Sequence, residues 1–157
     1  MLDKAEGVAV VDLALSKRHK AGHVPGAWFA IRSRLAQAVE KLPAGTTQIV
    51  LTSEDGNWAR LAASELRGAG VAGVPGTPEL ALLAGGNSAW RAAGLPLEAG
   101  IPHPLDVVDD AWFTPRERQG DITQHMSDYL DWEVKLLTQL GQDPDNRFRL
   151  VRQPAHA

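Results

Sequence analysis

The sequence predicts an α/β fold, a doubly wound parallel sheet with a helical extension on its C-terminal side. Two short segments, Val8–Leu13 and Ile49–Leu51, are almost continuously apolar. Such runs are typical of parallel strands that are covered by helices on both faces. The second run is followed by a polar loop and an amphipathic helix, and strand, loop and helix in that order form the repeating unit of a parallel sheet.

Apolar segments alternate with turns rich in glycine and proline over residues 8–99. After the first strand, Ser16–Lys20 could form one helical turn, and the tight turns at Gly22 and Pro25-Gly26 precede a buried strand. The spacing of apolar residues and the helix-stop signals predict the other elements. These are strands at Ala27–Ile31 and Leu80–Leu83 and helices at Ser33–Lys41, Trp58–Arg67 and Ser88–Ala93.

Composition excludes several classes of function. The formal net charge of −3 gives no sign of nucleic-acid binding. No run of about 18 apolar residues is present, so we expect no membrane partner. The N-terminal residues do not resemble a signal peptide, which favours a cytoplasmic location. The chain has no cysteine, which excludes disulfides, cysteine-ligated zinc and thiolate chemistry by its own residues.

The composition changes after Ala99, so we predict one domain at residues 1–99 and an extension at 100–157. The first strand begins so early that an N-terminal element of the domain could be truncated. Gly100–Asp110 is predicted to be an extended linker and Asp121–Leu140 the longest helix, roughly 30 Å long. Its apolar stripe should pack on the domain or on a partner. The stripe comprises Met126, Tyr129, Leu130, Val134 (or Glu133), Leu137 and Leu140, with Trp132 as a further anchor.

The stretch QIVLTSEDGNWARL, residues 48–61, is the most informative part of the chain. A strand–loop–helix junction of this kind presents several backbone N–H groups to one point. Ser53 lies just past the strand, where a nucleophile is expected. A serine hydroxyl is a poor nucleophile without an adjacent base, and the sequence identifies no such base. Alternatively, Ser53 and Asp55 simply accept hydrogen bonds from the N–H groups of the loop and the helix start.

Three separated motifs together closely resemble a rhodanese-like domain. They are VVDL followed by KAGHVPGAWFA, then IVLTSEDGNWA, then LLAGGNSAWRAAGLPLE. In that family the corresponding patterns read D-x-R followed by GHIPGA, then C-x-x-G-x-R-[SA], then L-x-GG-x-x-AW-x-x-AG-x-P. The resemblance covers Val8–Leu97 and implies a doubly wound domain whose loop surrounds a persulfide-forming cysteine with backbone N–H groups.

The active-site loop departs from the family pattern at the positions that matter for chemistry. Ser53 stands at the cysteine position, Trp58 at the loop arginine, and Ala14 at the arginine after the strand aspartate. Only Gly56 and Ala59 match the loop pattern. Serine cannot form a persulfide, and thiol phosphatases of related fold also need the cysteine. The degenerate loop comprises Ser53, Glu54, Asp55, Gly56, Asn57, Trp58 and Ala59, with no confident catalytic residue among them.

Charge in the loop should also oppose the family's chemistry. Glu54 and Asp55 add two carboxylates where an anionic thiosulfate or phosphate would sit, and like charges at short range repel strongly in a site of lowered dielectric. With Trp58 in the arginine position, the compensating cation is lost. Trp58 is expected either to plug the pocket or to form an exposed contact.

Other polar residues have alternative interpretations. His19 and His23 are four residues apart, as in helical metal pairs, but Gly22 and Pro25 argue against a regular helix there, which favours a structural role. Asp12 could be a general base, or it could hydrogen-bond backbone near the loop. We expect no metal and no cofactor.

The sequence therefore suggests a catalytically inactive rhodanese-like domain with a structural or regulatory role in a larger sulfurtransferase-related protein. Its partners would be other rhodanese-like domains of the parent chain, or identical subunits bound through the helix Asp121–Leu140. Two alternatives are a stand-alone module that binds a protein or ligand through the degenerate loop, and an enzyme with different chemistry at Ser53.

Overall fold

The computed structural model describes residues 7–118 and 120–145. The chain divides into two compact units, of which the first ends at Ala111 and the second begins at Trp112. The boundary predicted after Ala99 therefore falls inside the first unit. Residues 146–157 of the predicted extension lie outside the described residues.

A four-stranded parallel sheet forms the centre of the first unit. The strands are β1 (Val8–Asp12), β2 (Trp28–Phe29), β3 (Gln48–Thr52) and β4 (Glu79–Leu82), and they lie in the order β2-β1-β3-β4. All three strand pairs are parallel, as the apolar runs predicted. The strand order places β1 and β3 in the middle, so the residues at their C-terminal ends meet at one edge of the sheet.

The predicted helices are present, with some differences in extent. Asn57–Gly68 and Gly86–Ala92 agree closely with the prediction, but the segment expected as one helix at Ser33–Lys41 consists of a short α-helix between two 3₁₀ turns. In chain order the helices are α1 (Ser16–Ala21), α2 (Leu35–Ala38), α3 (Asn57–Gly68), α4 (Gly86–Ala92) and α5 (Ile122–Gln142).

Alternate residues of β1 support two apolar clusters, one on each face of the sheet. Val11 packs in a cluster with residues of α2 and α3, whereas Val10 packs with Val24 and Ala27 and, at the margin, with Trp90 of α4. Fully burying one such valine or leucine contributes about 1.5–3 kcal/mol. Helices on both faces confirm the doubly wound architecture and explain why the central strands are apolar throughout.

The segment predicted as an extended linker, Gly100–Asp110, instead belongs to the first unit and packs against β2. The Phe29 N–H donates to the carbonyl of His103, and the Leu105 N–H donates to the carbonyl of Phe29, both at 2.9 Å. Leu105 is buried in the main apolar cluster. The linker prediction was wrong because these residues cover the outer edge of β2, whose backbone groups need partners.

The second unit is dominated by α5. None of the described residues of this helix is buried. Asp121 caps the N-terminus of α5, since its Oδ1 accepts from the Thr123 N–H at 2.8 Å. The helix continues through Gly141, where the sequence suggested that it ends. Most of its apolar side chains are exposed, with Leu137 at 75%, whereas Met126 and Tyr129 are half-buried. Within the described ranges, no helix is long and apolar enough to cross a membrane.

Candidate functional site at the β3–α3 loop

The loop between β3 and α3 is shaped by one glycine. Gly56 has a φ of +81° and forms the N-cap of α3. A residue with a side chain is strained in this left-handed conformation, so Gly56 allows the chain to turn sharply from the strand into the helix. The turn brings residues 53–56 and the first turn of α3 around a common point at the sheet edge.

Ser53 is buried in this loop, with 2% of its surface exposed. Its Oγ accepts a long hydrogen bond from the Ala59 N–H at 3.4 Å, and its carbonyl accepts from the Asn87 N–H at 2.9 Å. Among the described residues, no imidazole or carboxylate is hydrogen-bonded to the Ser53 hydroxyl. The hydroxyl therefore has no adjacent base that could activate it.

The two loop carboxylates, Glu54 and Asp55, line a small cavity beside Ser53, and each has a hydrogen-bond partner of its own. Glu54 accepts from the Arg91 guanidinium at 3.2 Å and from the Ser88 hydroxyl at 3.3 Å. Asp55 accepts from the backbone and side-chain amides of Asn57 at 2.9 and 2.6 Å. The pKa of Asp55 is held below its usual value, mainly by the hydrogen bond from the Asn57 backbone N–H. The repulsion of anions expected from these acids is therefore reduced, because Arg91 supplies a positive charge beside Glu54.

Trp58 stands at the rim of the site, with 45% of its surface exposed. It lines a cavity of about 300 Å³ that Ser53 also lines. Arg18 of α1 lines the same cavity, which gives the site a cation that the sequence did not indicate. Trp58 also lines a larger groove of about 620 Å³ that runs along α3. Of the two roles expected for Trp58, the exposed contact fits this position better than a buried plug.

A buried hydrogen-bond network lies directly beneath the loop. The carboxylate of Asp12 accepts from the Ala14 N–H at 2.9 Å, from the ring Nδ1 of His19 at 2.8 Å and from the amide Nδ2 of Asn87 at 2.9 Å. The side chains of Asp12, His19 and Asn87 are almost completely buried. Asp12 thus hydrogen-bonds backbone near the loop, one of its two predicted roles, and three donors stabilise its buried charge.

Asn87 and its neighbour Gly86 connect α4 to the loop. The Oδ1 of Asn87 accepts from the Thr52 hydroxyl at 2.9 Å, at the end of β3. Gly86 lies so close to the loop that a Cβ built on it would be 2.1 Å from the Ser53 carbonyl oxygen and 2.5 Å from the Gly56 nitrogen. This close approach therefore requires the second glycine of the third motif, Gly86, whereas a Cβ on Gly85 would instead meet the Ala89 side chain of α4 at 2.7 Å.

His19 and His23 form a stacked pair beside the network. Their rings are 3.7 Å apart and within 8° of parallel. The Nδ1 of His19 is bonded to Asp12 and that of His23 to the carbonyl of His19, so both rings have structural partners. Burial, the largest effect, lowers the pKa of His23. Within residues 7–118 and 120–145, no group of three or more histidine, aspartate or glutamate side chains could hold a metal ion.

Comparison with known proteins identifies the fold of this site. The family model described as "Rhodanese-like domain" matches residues 1–93. The structure of thiosulfate sulfurtransferase from Pseudomonas aeruginosa aligns at 35% identity with a TM-score of 0.72, covering 94% of this chain and 27% of that chain. This chain therefore spans little more than a quarter of that relative. None of the curated proteins compared with the chain matches it at a significant level.

More distant structures share the fold alone. The Alr3790 protein from Anabaena sp. is 23% identical over 60% of this chain and 70% of that chain, with a TM-score of 0.50. The BH2092 protein from Bacillus halodurans is 21% identical over 72% of this chain and 77% of that chain, also with a TM-score of 0.50. These structures match the doubly wound architecture, and they carry no argument about chemistry.

Proposed function

We propose, because the chain belongs to the rhodanese-like domain family, that it is a catalytically inactive member with a structural or regulatory role in a longer sulfurtransferase-related protein. The observation that carries the proposal is Ser53. It stands at the position where the family resemblance places the sulfur-accepting cysteine, and the chain contains no cysteine at any position. A persulfide intermediate needs a thiolate, which a hydroxyl cannot supply.

The surroundings of Ser53 support the absence of an alternative chemistry. Its hydroxyl is buried and has no base within hydrogen-bond reach among the described residues, so proton removal is not assisted. The buried network of Asp12, His19 and Asn87 holds the loop from beneath. Such a network gives a reason for the fold and the loop to persist without the reaction.

The place within a longer protein is supported by the extent of the alignment with the Pseudomonas aeruginosa protein. Nearly all of this chain, 94%, aligns with 27% of a protein whose name is thiosulfate sulfurtransferase. That protein has room for further domains, and we propose the same organisation here, with a cysteine-bearing sister domain in the cytoplasm carrying any sulfur transfer. The exposed apolar stripe of α5 would then pack on another rhodanese-like domain of the parent chain, or on an identical subunit.

One observation favours the stand-alone binding module as a second candidate. The half-exposed indole of Trp58 borders both the loop cavity and the groove along α3. Exposed tryptophans next to concave apolar surfaces are common in interfaces and ligand sites. A serine-based enzyme is the third and least supported candidate, because it lacks the base.

Sulfurtransferase activity between thiosulfate and cyanide tests the proposal, with esterase and phosphatase substrates in parallel. We expect no turnover above background from the natural chain or from Ser53→Ala. Ser53→Cys introduces the missing sulfur, and Ser127→Cys on exposed α5 is the matched control for a cysteine outside the loop. Turnover by the natural chain that Ser53→Ala abolishes would overturn the inactive assignment.

The Ser53→Cys variant also tests why the site is inactive. Activity in Ser53→Cys, but not in Ser127→Cys, would show that the sulfur atom is the only missing component. No activity in either variant would show that the other departures also block the site, namely Trp58 and Ala14 at the family's arginine positions and the two loop acids. The double change Ser53→Cys with Trp58→Arg separates these effects, because it restores a cation beside the new thiol.

A further inference from the structure

The stacked rings of His19 and His23 are a buried titratable pair beneath the loop, and the proposed function gives His23 no role. Both rings are completely buried, and both have an Nε2 atom without a hydrogen-bond partner. The Nδ1 of His19 faces a carboxylate and that of His23 faces a backbone carbonyl, so each Nδ1 must carry the proton. In the neutral rings, each Nε2 is therefore an unprotonated acceptor.

A proton can enter this pair only at an Nε2 atom. On His23 it would face the Oε2 of Glu98, which lies 3.7 Å away and already accepts from the Gly26 N–H at 2.7 Å. On His19 the incoming proton would meet no acceptor. His23 is thus the better placed proton acceptor, although its own burial opposes the charge.

The charged groups around His23 come from several elements. Asp12 of β1 and Glu98 after α4 attract a proton to His23, whereas a positive charge on His19 would repel it. The Arg91 guanidinium of α4 donates to the carbonyl of Gly22, the residue before His23. From β2 the pair meets the uncharged ring of Phe29 at 5.4 Å from His19. Two parallel rings 3.7 Å apart cannot both be charged easily, because like charges repel strongly in a buried site.

Two short routes join this pair to the degenerate loop. In the first, Asp12 Oδ2 accepts from both His19 and Asn87, and the Asn87 N–H donates to the carbonyl of Ser53. In the second, Arg91 bridges the Gly22 carbonyl and the carboxylate of Glu54. A ring that moves towards Glu98 would therefore disturb both ends of the loop segment 53–54.

We propose that the His19–His23 stack is a proton-operated latch for the loop. In the neutral state the stack holds Asp12, Asn87 and Ser53 in the arrangement described above. When His23 takes up a proton, its ring turns towards Glu98, the stack loosens and the loop surface around Trp58 changes. The inference rests on the proposed function in one respect, since it assigns a regulated binding surface to a loop that has no reaction to perform.

Two-dimensional ¹H–¹⁵N NMR of the whole chain tests this latch, with pH lowered from about 7.5 to about 5. We expect the amides of Glu54 and Gly56 to shift with the same midpoint as the His23 ring, below the ordinary histidine value of 6.5. The pKa of Asp55 is held below its usual value by the Asn57 backbone N–H, so its own titration lies below this range. His23→Asn, which keeps a donor for the His19 carbonyl, should abolish the loop titration. His103→Gln is the matched control, because His103 is exposed in the same unit.

Loop amides that do not respond over this range would refute the latch, as would a titration that persists unchanged in His23→Asn. If that variant does not fold, the natural chain alone decides the question through the match or mismatch of the ring and loop midpoints. The readout is independent of the sulfurtransferase assay. The absence of a loop titration would therefore leave the inactive assignment intact. Turnover in the sulfurtransferase assay would overturn that assignment, and the titration would still decide whether the latch exists.

Discussion

Gly86→Ala should be among the most damaging single substitutions in the chain, and Gly94→Ala provides its matched control. Gly86 begins α4 and Gly94 lies two residues after its end, and both have a positive φ, of +62° and +68°. They differ in the space around them. A Cβ at Gly86 would be 2.1 Å from the Ser53 carbonyl oxygen, whereas a Cβ at Gly94 would meet nothing within 4 Å.

The expected loss of stability in Gly86→Ala has two parts, the backbone strain of a positive φ and the steric clash of the new Cβ with the loop. An alanine in the left-handed region costs roughly 1–2 kcal/mol, and this cost applies to both variants. At position 86 the first turn of α4 must also move away from the loop. That movement weakens the Asn87 N–H bond to Ser53 and the buried bonds of the Asn87 side chain to Asp12 and Thr52. Bonds to charged groups contribute about 1.5–3 kcal/mol each and neutral ones about 1 kcal/mol, so the total loss should be about 4 kcal/mol or more.

Thermal unfolding followed by far-ultraviolet circular dichroism measures both variants. For a unit of roughly 100 residues, 1 kcal/mol corresponds to about 4–8 °C in melting temperature. We expect Gly94→Ala to melt about 4–16 °C below the natural chain and Gly86→Ala at least about twice as far below. Equal losses in the two variants would refute the reasoning, because they would mean that backbone strain alone determines the cost and that the contact with Ser53 is not tight.

Two further predictions concern the buried network. Asn87→Ala should lower the free energy of unfolding by about 3 kcal/mol, because it removes a donor from the buried Asp12 carboxylate. Its control, Asn57→Ala on the exposed loop, should cost well under 1 kcal/mol. Similar losses for the two variants in chemical denaturation would contradict this expectation. The lowered pKa of His23 means that the unfolded chain binds its proton first. The contribution of His23 to the free energy of unfolding should therefore be fully present above pH 6.5. It should decrease as the pH falls from 6.5 towards the lower folded-state pKa of His23. Denaturation at a series of pH values should show this decrease, and His23→Asn should flatten it.

The fold was predictable because its signals are local. The apolar runs at β1 and β3 and the amphipathic pattern of α3 each identify their element within a few residues of sequence. Strand β2 was predicted too long, since its apolar neighbours are buried without being in the ladder. Gly100–Asp110 was misread for the related reason that polar and proline-rich segments can still supply backbone partners to an edge strand.

The candidate site was predictable only in part, because its most important contacts join residues far apart in sequence. The loop and Asp12 follow their strands directly, so their position at the sheet edge could be inferred. Asn87 lies 75 residues from Asp12, and no local pattern distinguishes it from a helix-start asparagine. His19 gave only the misleading signal of its four-residue spacing from His23, which in the structure reflects ring stacking.

The loss of the cysteine and the preservation of the loop are compatible because different residues carry chemistry and shape. The conformation of the loop is fixed by Gly56, by the close approach of Gly86 and by hydrogen bonds to backbone atoms, none of which requires a thiol. Substituting Ser53 by cysteine exchanges one small buried side chain for another and leaves these contacts in place. The variant should therefore keep the folded loop whether or not it gains activity, so that its assay reports on chemistry at this site and not on folding.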